Sequence, residues 1–217
     1  MKKRVNLIGL LLLAIFTISC SNSNKPKNFD YGSVVNNKYT NSFFDLEINL
    51  PANWVIQTKE QTENLVKQGK DVVAGDDKNM KAILNASEIN SANLLVVFQY
   101  EVGAAVEYNP NFMLVAENIK NFPGIKNGSD YLYQARKLIM RSQLQYDSID
   151  EEFTKVIINN TEYYAMNALL NYLDVGIRQT YYSTIQNGFC VSAIISYIND
   201  EQKAELEEVI NSINFKK

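Results

Sequence analysis

Apolar and polar positions near the C-terminus follow the pattern of a β-hairpin. Two largely apolar runs flank Asn187-Gly188, the pair that a two-residue type I′ turn favours because both positions need positive φ. Such a turn places Ile185 opposite Cys190 and gives residues 189–197 two faces of apolar or small side chains. A strand of this kind is typical of the inside of a sheet that is covered on both sides.

A helix is predicted after this hairpin, from about Asp200 to Ile213. Asn199 is a suitable N-cap, and Gln202 three residues later completes the capping-box pattern. Apolar residues then recur with helical spacing at Leu206, Val209, Ile210 and Ile213. We therefore expect this helix to pack one face against the sheet.

The remaining elements are predicted from the same two periodicities. Apolar residues alternate with polar ones from Phe44 to Leu50, which indicates a half-buried strand that ends at Pro51. Further strands are predicted over residues 80–89, 93–101, 153–159 and 163–172, and helices over 58–69, 109–122 and 130–143, the last with Ser129 as its N-cap. The domain then contains about seven strands and four helices.

The N-terminal pattern is that of an export signal. Lys2, Lys3 and Arg4 precede an apolar run that is too short for a comfortable membrane span. The run ends in residues 17–20, Thr-Ile-Ser-Cys, which resemble a bacterial lipobox with Thr17 where leucine is commoner. An ordinary secretory signal, or an uncleaved anchor with a chance cysteine, is the alternative.

The lipobox resemblance implies an address for the protein. In such signals the cysteine, here Cys20, becomes the lipidated N-terminus, and two or three acyl chains such as palmitate hold a protein on a membrane. We predict a lipoprotein signal peptide over residues 1–19, a flexible tether over 20–37 that is rich in Ser, Asn and Lys, and a folded domain over 38–217. Ser21 replaces the aspartate that retains enterobacterial lipoproteins in the inner membrane, which favours the outer membrane, facing the periplasm.

Composition excludes several classes of function. Without the three basic residues of the signal, 18 basic residues face 24 acidic ones, which argues against nucleic-acid binding. The chain has no histidine, which removes Ser-His-Asp and Cys-His catalysis and histidine-bound zinc or haem. If Cys20 is lipidated, Cys190 has no disulfide partner, and its apolar neighbours indicate a buried, inert thiol. We predict no catalytic residues, no cofactor and no enzyme activity.

The order of elements resembles the PsbP/Mog-like superfamily, which includes DcrB-type bacterial envelope lipoproteins. The resemblance spans roughly residues 39–215 and rests on spaced apolar, glycine, proline and aromatic positions, from Tyr39, Phe44, Pro51 and Trp54 to Gly176, Tyr182, Asn187, Gly188, Tyr197, Ile213 and Phe215. It implies an α+β fold in which an antiparallel sheet of about seven strands is sandwiched between helices. It also implies an accessory or binding role, and no functional motif is carried over with it.

Two surface features are candidate sites. Asp147, Asp150, Glu151 and Glu152 form an acidic cluster that could bind Ca²⁺ through oxygen ligands, or could simply be a solvated loop. Asp147-Ser148-Ile149 also resembles the tripeptide that Bacteroidetes-type bacteria O-glycosylate, which makes Ser148 a candidate for modification.

Three functions compete at this stage. The leading hypothesis is a lipid-anchored, non-enzymatic module of the cell envelope that binds a protein partner. The second is a periplasmic protein that binds a small ligand or a cation between its helices and its sheet. The third is a hydrolase that uses a carboxylate pair such as Glu151 and Asp174, for which the sequence offers no spacing signature.

Overall fold

A computed structural model describes residues 25–216 of the chain. The helices are α1 (Lys59–Ala74), α2 (Lys78–Glu88), α3 (Gly128–Ile139) and α4 (Asp200–Ser212). The strands are β1 (Ser33–Val35), β2 (Lys38–Asn41), β3 (Leu46–Asn49), β4 (Val55–Ile56), β5 (Ser91–Phe98), β6 (Asn111–Asn118), β7 (Tyr146–Ile149), β8 (Thr154–Ile158), β9 (Thr161–Tyr172), β10 (Val175–Gln186), β11 (Phe189–Tyr197) and β12 (Asn214–Phe215). No helix within this range is long and apolar enough to cross a membrane.

The strands form two antiparallel sheets. The main sheet has the order β4-β5-β6-β11-β10-β9-β7, and β8 also pairs with β9, which makes eight strands. The small sheet has the order β1-β2-β3-β12. The predicted α+β class with an antiparallel sheet is therefore confirmed, with one more strand in the main sheet and a second sheet that the sequence did not reveal.

Apolar layers cover both faces of the main sheet. On one face, α1, α2 and α3 bury residues such as Leu65, Leu84 and Leu132 against the sheet. On the other face, α4 and the small sheet bury residues such as Leu206 and Ile48. The sandwich is thus built from helices on one side and from a helix plus a small sheet on the other.

The C-terminal hairpin and helix are confirmed. Asn187 and Gly188 have φ of 51° and 78°, and Ile185 pairs with Cys190 as the turn predicts. Asn199 Oδ1 accepts a hydrogen bond from Gln202 N at 2.9 Å and caps α4. The Gln202 side chain accepts from Ile198 N, one residue before the cap, so the reciprocal bond of the capping box is displaced by one position.

Residues 80–89 form most of α2, and the predicted strand is wrong. Asp77 is the N-cap of this helix, and its Oδ1 accepts from Asn79 N and Met80 N at 2.8 and 3.0 Å. Met80, Leu84 and Ser87 are buried at helical spacing. The apolar residues of this segment therefore match the spacing of a helix as well as that of a strand, and the N-cap favours the helix.

Residues 109–122 contain β6, and the predicted helix is wrong. Phe112 and Leu114 contact the small-sheet side, whereas Met113 and Val115 contact the helix side. Seven of the eight residues of β6 are buried between β5 and β11, as expected for an inner strand. The helical stripe that we assigned here comes from apolar residues on both faces of that strand.

The boundary of the predicted tether also needs correction. The Phe29 ring packs against Phe43 and Phe189, at centroid distances of 5.0 and 5.3 Å. Asp30 Oδ2 accepts a hydrogen bond from Ser42 N at 2.9 Å, and β1 follows at Ser33. Residues 20–24 of the predicted tether and the predicted signal peptide lie outside the described range.

The predicted N-cap of α3 is wrong by two residues, because Asn127 rather than Ser129 is the N-cap.

Candidate functional site

The main sheet has an uncovered edge at β5. Strand β4 is only two residues long and pairs only with Phe98 and Val97 of β5. One further bond follows, from Gln57 N to Val96 O at 2.9 Å. From Ser91 to Leu95, no strand of the described chain pairs with the outer side of β5.

A groove of about 560 Å³ runs along this edge, and we call it the edge groove. Its floor is formed by consecutive residues of β5, Ser91–Val96. One wall comes from α1 and the end of α2, through Lys59, Thr62, Glu63 and Glu88, and the other from residues 31–34 with Tyr39. The groove therefore continues the plane of the sheet between the two layers that cover it.

The second wall is fixed by Tyr39. Its hydroxyl donates to Tyr31 O at 2.8 Å, and its ring is only 1% exposed. Gly32 lies against that side chain with φ of 79°, and a Cβ at this position would come within 2.5 Å of Tyr39 atoms. Residues 31–34 thus follow the groove because position 32 has no side chain.

The first wall begins at the N-terminus of α1. Thr58 Oγ1 accepts from Gln61 N at 3.2 Å, and Gln61 Oε1 accepts from Thr58 N at 2.8 Å, which completes a capping box. This cap follows Gln57, which bonds to Val96, so Lys59 lies at the Val96 end of the groove.

Charge is distributed unevenly along the groove. At the Val96 end, the Nζ atoms of Lys25 and Lys59 lie 5.6 and 5.9 Å from the centre of the Tyr31 ring, within range of cation–π attraction. At the Ser91 end, the Glu88 carboxylate already pairs with Lys70 at 2.8 Å. The end near Tyr31 is therefore the electropositive one.

Two polar atoms on the floor lack partners. Asn93 Oδ1 and Ser91 Oγ are buried and make no hydrogen bond within the described chain. Buried polar atoms are rarely left unpaired, and each unpaired atom requires an explanation. Both residues line the edge groove.

Ser91 also lines a second, internal cavity beneath α3, around Glu117. Glu117 lies between Ser91 and Cys190 in the strand register and is 1% exposed. Tyr131 Oη donates to Glu117 Oε2 at 2.8 Å, whereas Oε1 has no partner within the described residues. Burial raises the pKa of Glu117 to about 8 despite this hydrogen bond.

This cavity is too small for a metabolite. About 20 Å³ is open to the centre of a water-sized sphere, room for a single water molecule. The cavity beneath α3 is therefore too small for the ligand that the second hypothesis places between the helices and the sheet.

Cys190 is a core residue, as predicted. It is 1% exposed, and burial raises the pKa of its thiol well above the ordinary value. Six of the 13 tyrosines are buried as well: Tyr39, Tyr108, Tyr131, Tyr163, Tyr181 and Tyr197.

The acidic cluster does not form a metal site. Asp150 Oδ2 accepts from Asn167 N and Nδ2, both at 2.8 Å, and Asp147 accepts from Asn171 Nδ2. Glu151 lies 3.4 Å from Arg136, and Glu152 is exposed. Within residues 25–216, no three acidic or thiol side chains are arranged to hold a metal ion.

The other predicted site residues are separate from both cavities. Ser148 is exposed on the edge strand β7, and Cys20 lies outside the described residues. Asp174 lies in the β9–β10 turn with φ of 66°, whereas Glu151 lies in the β7–β8 loop. The hydrolase hypothesis stays untested.

Sequence reasoning missed both the edge groove and Glu117. A single carboxylate at the end of the apolar run 112–116 was the available signal for Glu117, and the incorrect helix prediction concealed it. For the groove, Ser91 and Asn93 at the start of an apolar strand were the only local signal.

No protein-family model matches the chain, and no curated protein sequence matches it. Among solved structures it is similar to cyanobacterial PsbP (CyanoP) from Synechocystis sp. PCC 6803, with 14% identity and a TM-score of 0.49, over 82% of this chain and 91% of that one.

Two further structures are similar at lower scores. LpqN, involved in cell envelope biogenesis of Mycobacterium tuberculosis, has 10% identity and a TM-score of 0.41, over 78% of this chain and 83% of that one. A protein from Bacteroides thetaiotaomicron VPI-5482 has 13% identity and a TM-score of 0.42, over 79% of this chain but only 45% of that longer one. At these TM-scores the similarities carry no argument about function, which is argued below from the residues.

Proposed function

We propose that this protein is a lipid-anchored, non-enzymatic accessory protein of the cell envelope that binds a protein partner through the edge groove. The observation that carries the proposal is the open edge of β5 at the bottom of the groove. An uncovered strand edge is a template for another chain, and soluble proteins normally protect it. Here the edge is flanked by walls but is open to a ligand.

The exposed apolar side chains of the rim support a protein partner. Tyr31 and Ile56 line the groove and are 42% and 37% exposed. Aromatic side chains such as Tyr31 are enriched in protein-binding surfaces. The rim thus offers apolar contact as well as charge.

The proposed anchor would hold the groove near the membrane. If Cys20 is lipidated, five residue steps separate it from Lys25, which lines the groove. A fully extended chain of that length spans at most about 18 Å. We propose that the partner lies in or on the same membrane, on the periplasmic side of the outer membrane.

A small ligand is the second candidate, because the groove volume of about 560 Å³ falls within the usual range of ligand sites. A small ligand would raise the melting temperature of the protein without giving protein adducts. The two functions are therefore separable in one set of experiments.

Site-specific photo-crosslinking in living cells tests the protein-binding proposal. A benzophenone amino acid replaces Tyr31 or Ile56 at the rim, and Tyr133 or Ile157, which are exposed elsewhere, in matched controls. We expect the same protein adduct from both rim positions and from neither control. Equal adducts at all four positions, or none at the rim, would contradict the proposal.

A further inference from the structure

The two edges of the main sheet differ in how they are protected. At the far edge lie β7 and β8, of four and five residues, and β8 presents the half-exposed Lys155. Short strands and edge lysines are common protection against pairing with another chain. Strand β5 has eight residues with no lysine or proline, so its sequence lacks these features.

The walls of the edge groove leave space in the plane of the sheet. One wall belongs to the helix layer and the other to the small-sheet layer, and β5 lies at the floor between them. A further strand would lie 4.7–4.9 Å from β5 in that same plane. An extended chain at this position would continue the sheet where the pairing of β5 with β4 and Gln57 ends, at Val96.

The free part of the edge is short. Val96 O is already bonded to Gln57 N, and the register shifts between Asn93 and Leu95, which marks a bulge. Ser91–Leu95 remains, which is about 17 Å of strand. The groove can thus pair with a segment of about five residues and not with a long strand, because the bulge limits the register.

The unpaired atoms of the floor favour the same kind of ligand. Ser91 Oγ and Asn93 Oδ1 lie at alternate positions of the free edge, buried and without partners in the described chain. The side chains of an added strand that point to the same face of the sheet would bring hydrogen-bond donors beside both residues.

The lysines define the charge of the ligand. Lys25 makes no ion pair within the described chain, and Lys59 pairs only with the exposed Glu63 at 3.8 Å. At the opposite end, Lys70 already neutralises Glu88. A carboxylate at the Tyr31 end is therefore the charge that the groove would attract.

We infer that the edge groove binds an extended segment of its protein partner by strand addition to Ser91–Leu95, with an acidic group of that segment beside Lys25 and Lys59. This rests on the proposed function, which it deepens by naming the kind of segment that binds. Backbone hydrogen bonds supply the affinity, and the carboxylate fixes the direction of the segment.

A display library of random octapeptides, selected against the full chain purified in detergent, tests this inference. We expect the selected peptides to share alternating apolar residues and an acidic residue at one end. N-methylation of the amides in one alternating register should weaken binding about tenfold or more, and in the other register much less. A helical peptide, or one insensitive to N-methylation in both registers, would overturn strand addition.

Charge variants test the orientation. The double variant Lys25→Gln/Lys59→Gln should weaken binding of an acidic peptide roughly threefold to fivefold and leave its neutral analogue unchanged. Lys137→Gln is the matched control, because Lys137 lies 4.3 Å from the Tyr133 ring on α3, in a similar cation–π pair. Equal losses in both variants would remove the lysines from the inference.

Two outcomes distinguish a failure of strand addition from a failure of the proposed protein-binding function. If rim crosslinks form but no peptide depends on its backbone amides, protein binding stands and strand addition fails. If peptide binding increases when residues 21–24 are replaced by Gly-Ser, the chain's own N-terminal segment occupies the groove, and the assignment to a partner is overturned.

Discussion

Glu117 is a carboxyl group that the fold keeps neutral. It follows the apolar residues Met113 and Val115 at alternate positions of β6, on the face beneath α3. One hydrogen bond from Tyr131 does not offset burial, so its pKa rises from 4.5 to about 8. A neutral carboxyl can remain there with one oxygen unpaired, whereas a carboxylate would lack compensating charge.

The sign of the resulting pH dependence follows directly. Between pH 4.5 and about 8 the folded protein holds a proton on Glu117 that the unfolded chain releases. The free energy of unfolding therefore falls with rising pH in this window, by about 1.4 kcal/mol per pH unit from this group. Glu117→Gln should remove that slope, so its free energy of unfolding should increase relative to that of the wild type as the pH rises. Urea titrations at pH 5, 6.5 and 8 measure this difference.

Glu208→Gln provides the control, because it makes the same substitution at an exposed position on α4. It should retain the wild-type pH dependence. If Glu117→Gln shows the wild-type slope as well, the carboxyl group is charged in the folded protein and its neutral state is refuted.

The Cys190 thiol should be unreactive toward alkylating reagents in the folded protein. Reactivity requires the thiolate and access to reagent, and burial denies both. We expect iodoacetamide to label Cys190 only at urea concentrations that unfold the chain, as read by mass spectrometry. Rapid labelling under native conditions would show that β11 opens locally.

At the scale of elements, α3 approaches β10 only because residue 128 is glycine. A Cβ there would overlap the carbonyl oxygen of Ser183, a backbone atom that cannot move aside alone. Gly128→Ala should therefore displace α3 and destabilise the protein by about 1–3 kcal/mol. Chemical denaturation measures this change.

Gly124→Ala is the matched control for that experiment. Gly124 has no positive φ, and a Cβ at this position would meet no atom within 4 Å. Its effect should stay within about 0.5 kcal/mol. Equal effects of the two substitutions would mean that the close approach of α3 to β10 does not limit stability.

The predictable elements were those with a decisive local signal. The turn at Asn187-Gly188 fixed the register of β10 and β11 because its dihedral requirement has few solutions. Strand β6 had no such signal, since an inner strand is apolar on both faces and matches a helical stripe by chance. Helix α2 could in principle be predicted from Asp77, a favourable N-cap residue directly before the segment.

At the scale of the whole molecule, the site could not be predicted because its parts are distant in sequence. Lys25, Lys59 and Ser91 reach the edge groove from three separate segments. Their proximity depends on the small sheet, whose strands β1 and β12 are three and two residues long and give almost no periodic signal. Predicted features within one segment, such as the hairpin, needed no such assembly.

The position of the fold's first described residues bears on the proposed anchor. Phe29 is held in an aromatic cluster, so the chain between the groove and Cys20 is far shorter than the predicted tether. A short connection restricts the orientations that the domain can adopt on a membrane. The edge groove would then face partners close to the bilayer surface.

Replacing Cys20 tests this arrangement. Cys20→Ser should abolish metabolic labelling with an alkyne analogue of palmitate, because the thioether cannot form, whereas Ser21→Ala should retain it. A chain carrying an ordinary secretory signal in place of residues 1–20 should leave the membrane fraction and lose the protein adduct at Tyr31 if the partner is reached only near the bilayer. Persistent labelling of the Cys20→Ser chain would refute lipidation at this residue. An undiminished adduct from the released chain would show that the membrane is not needed to bring the partner to the groove.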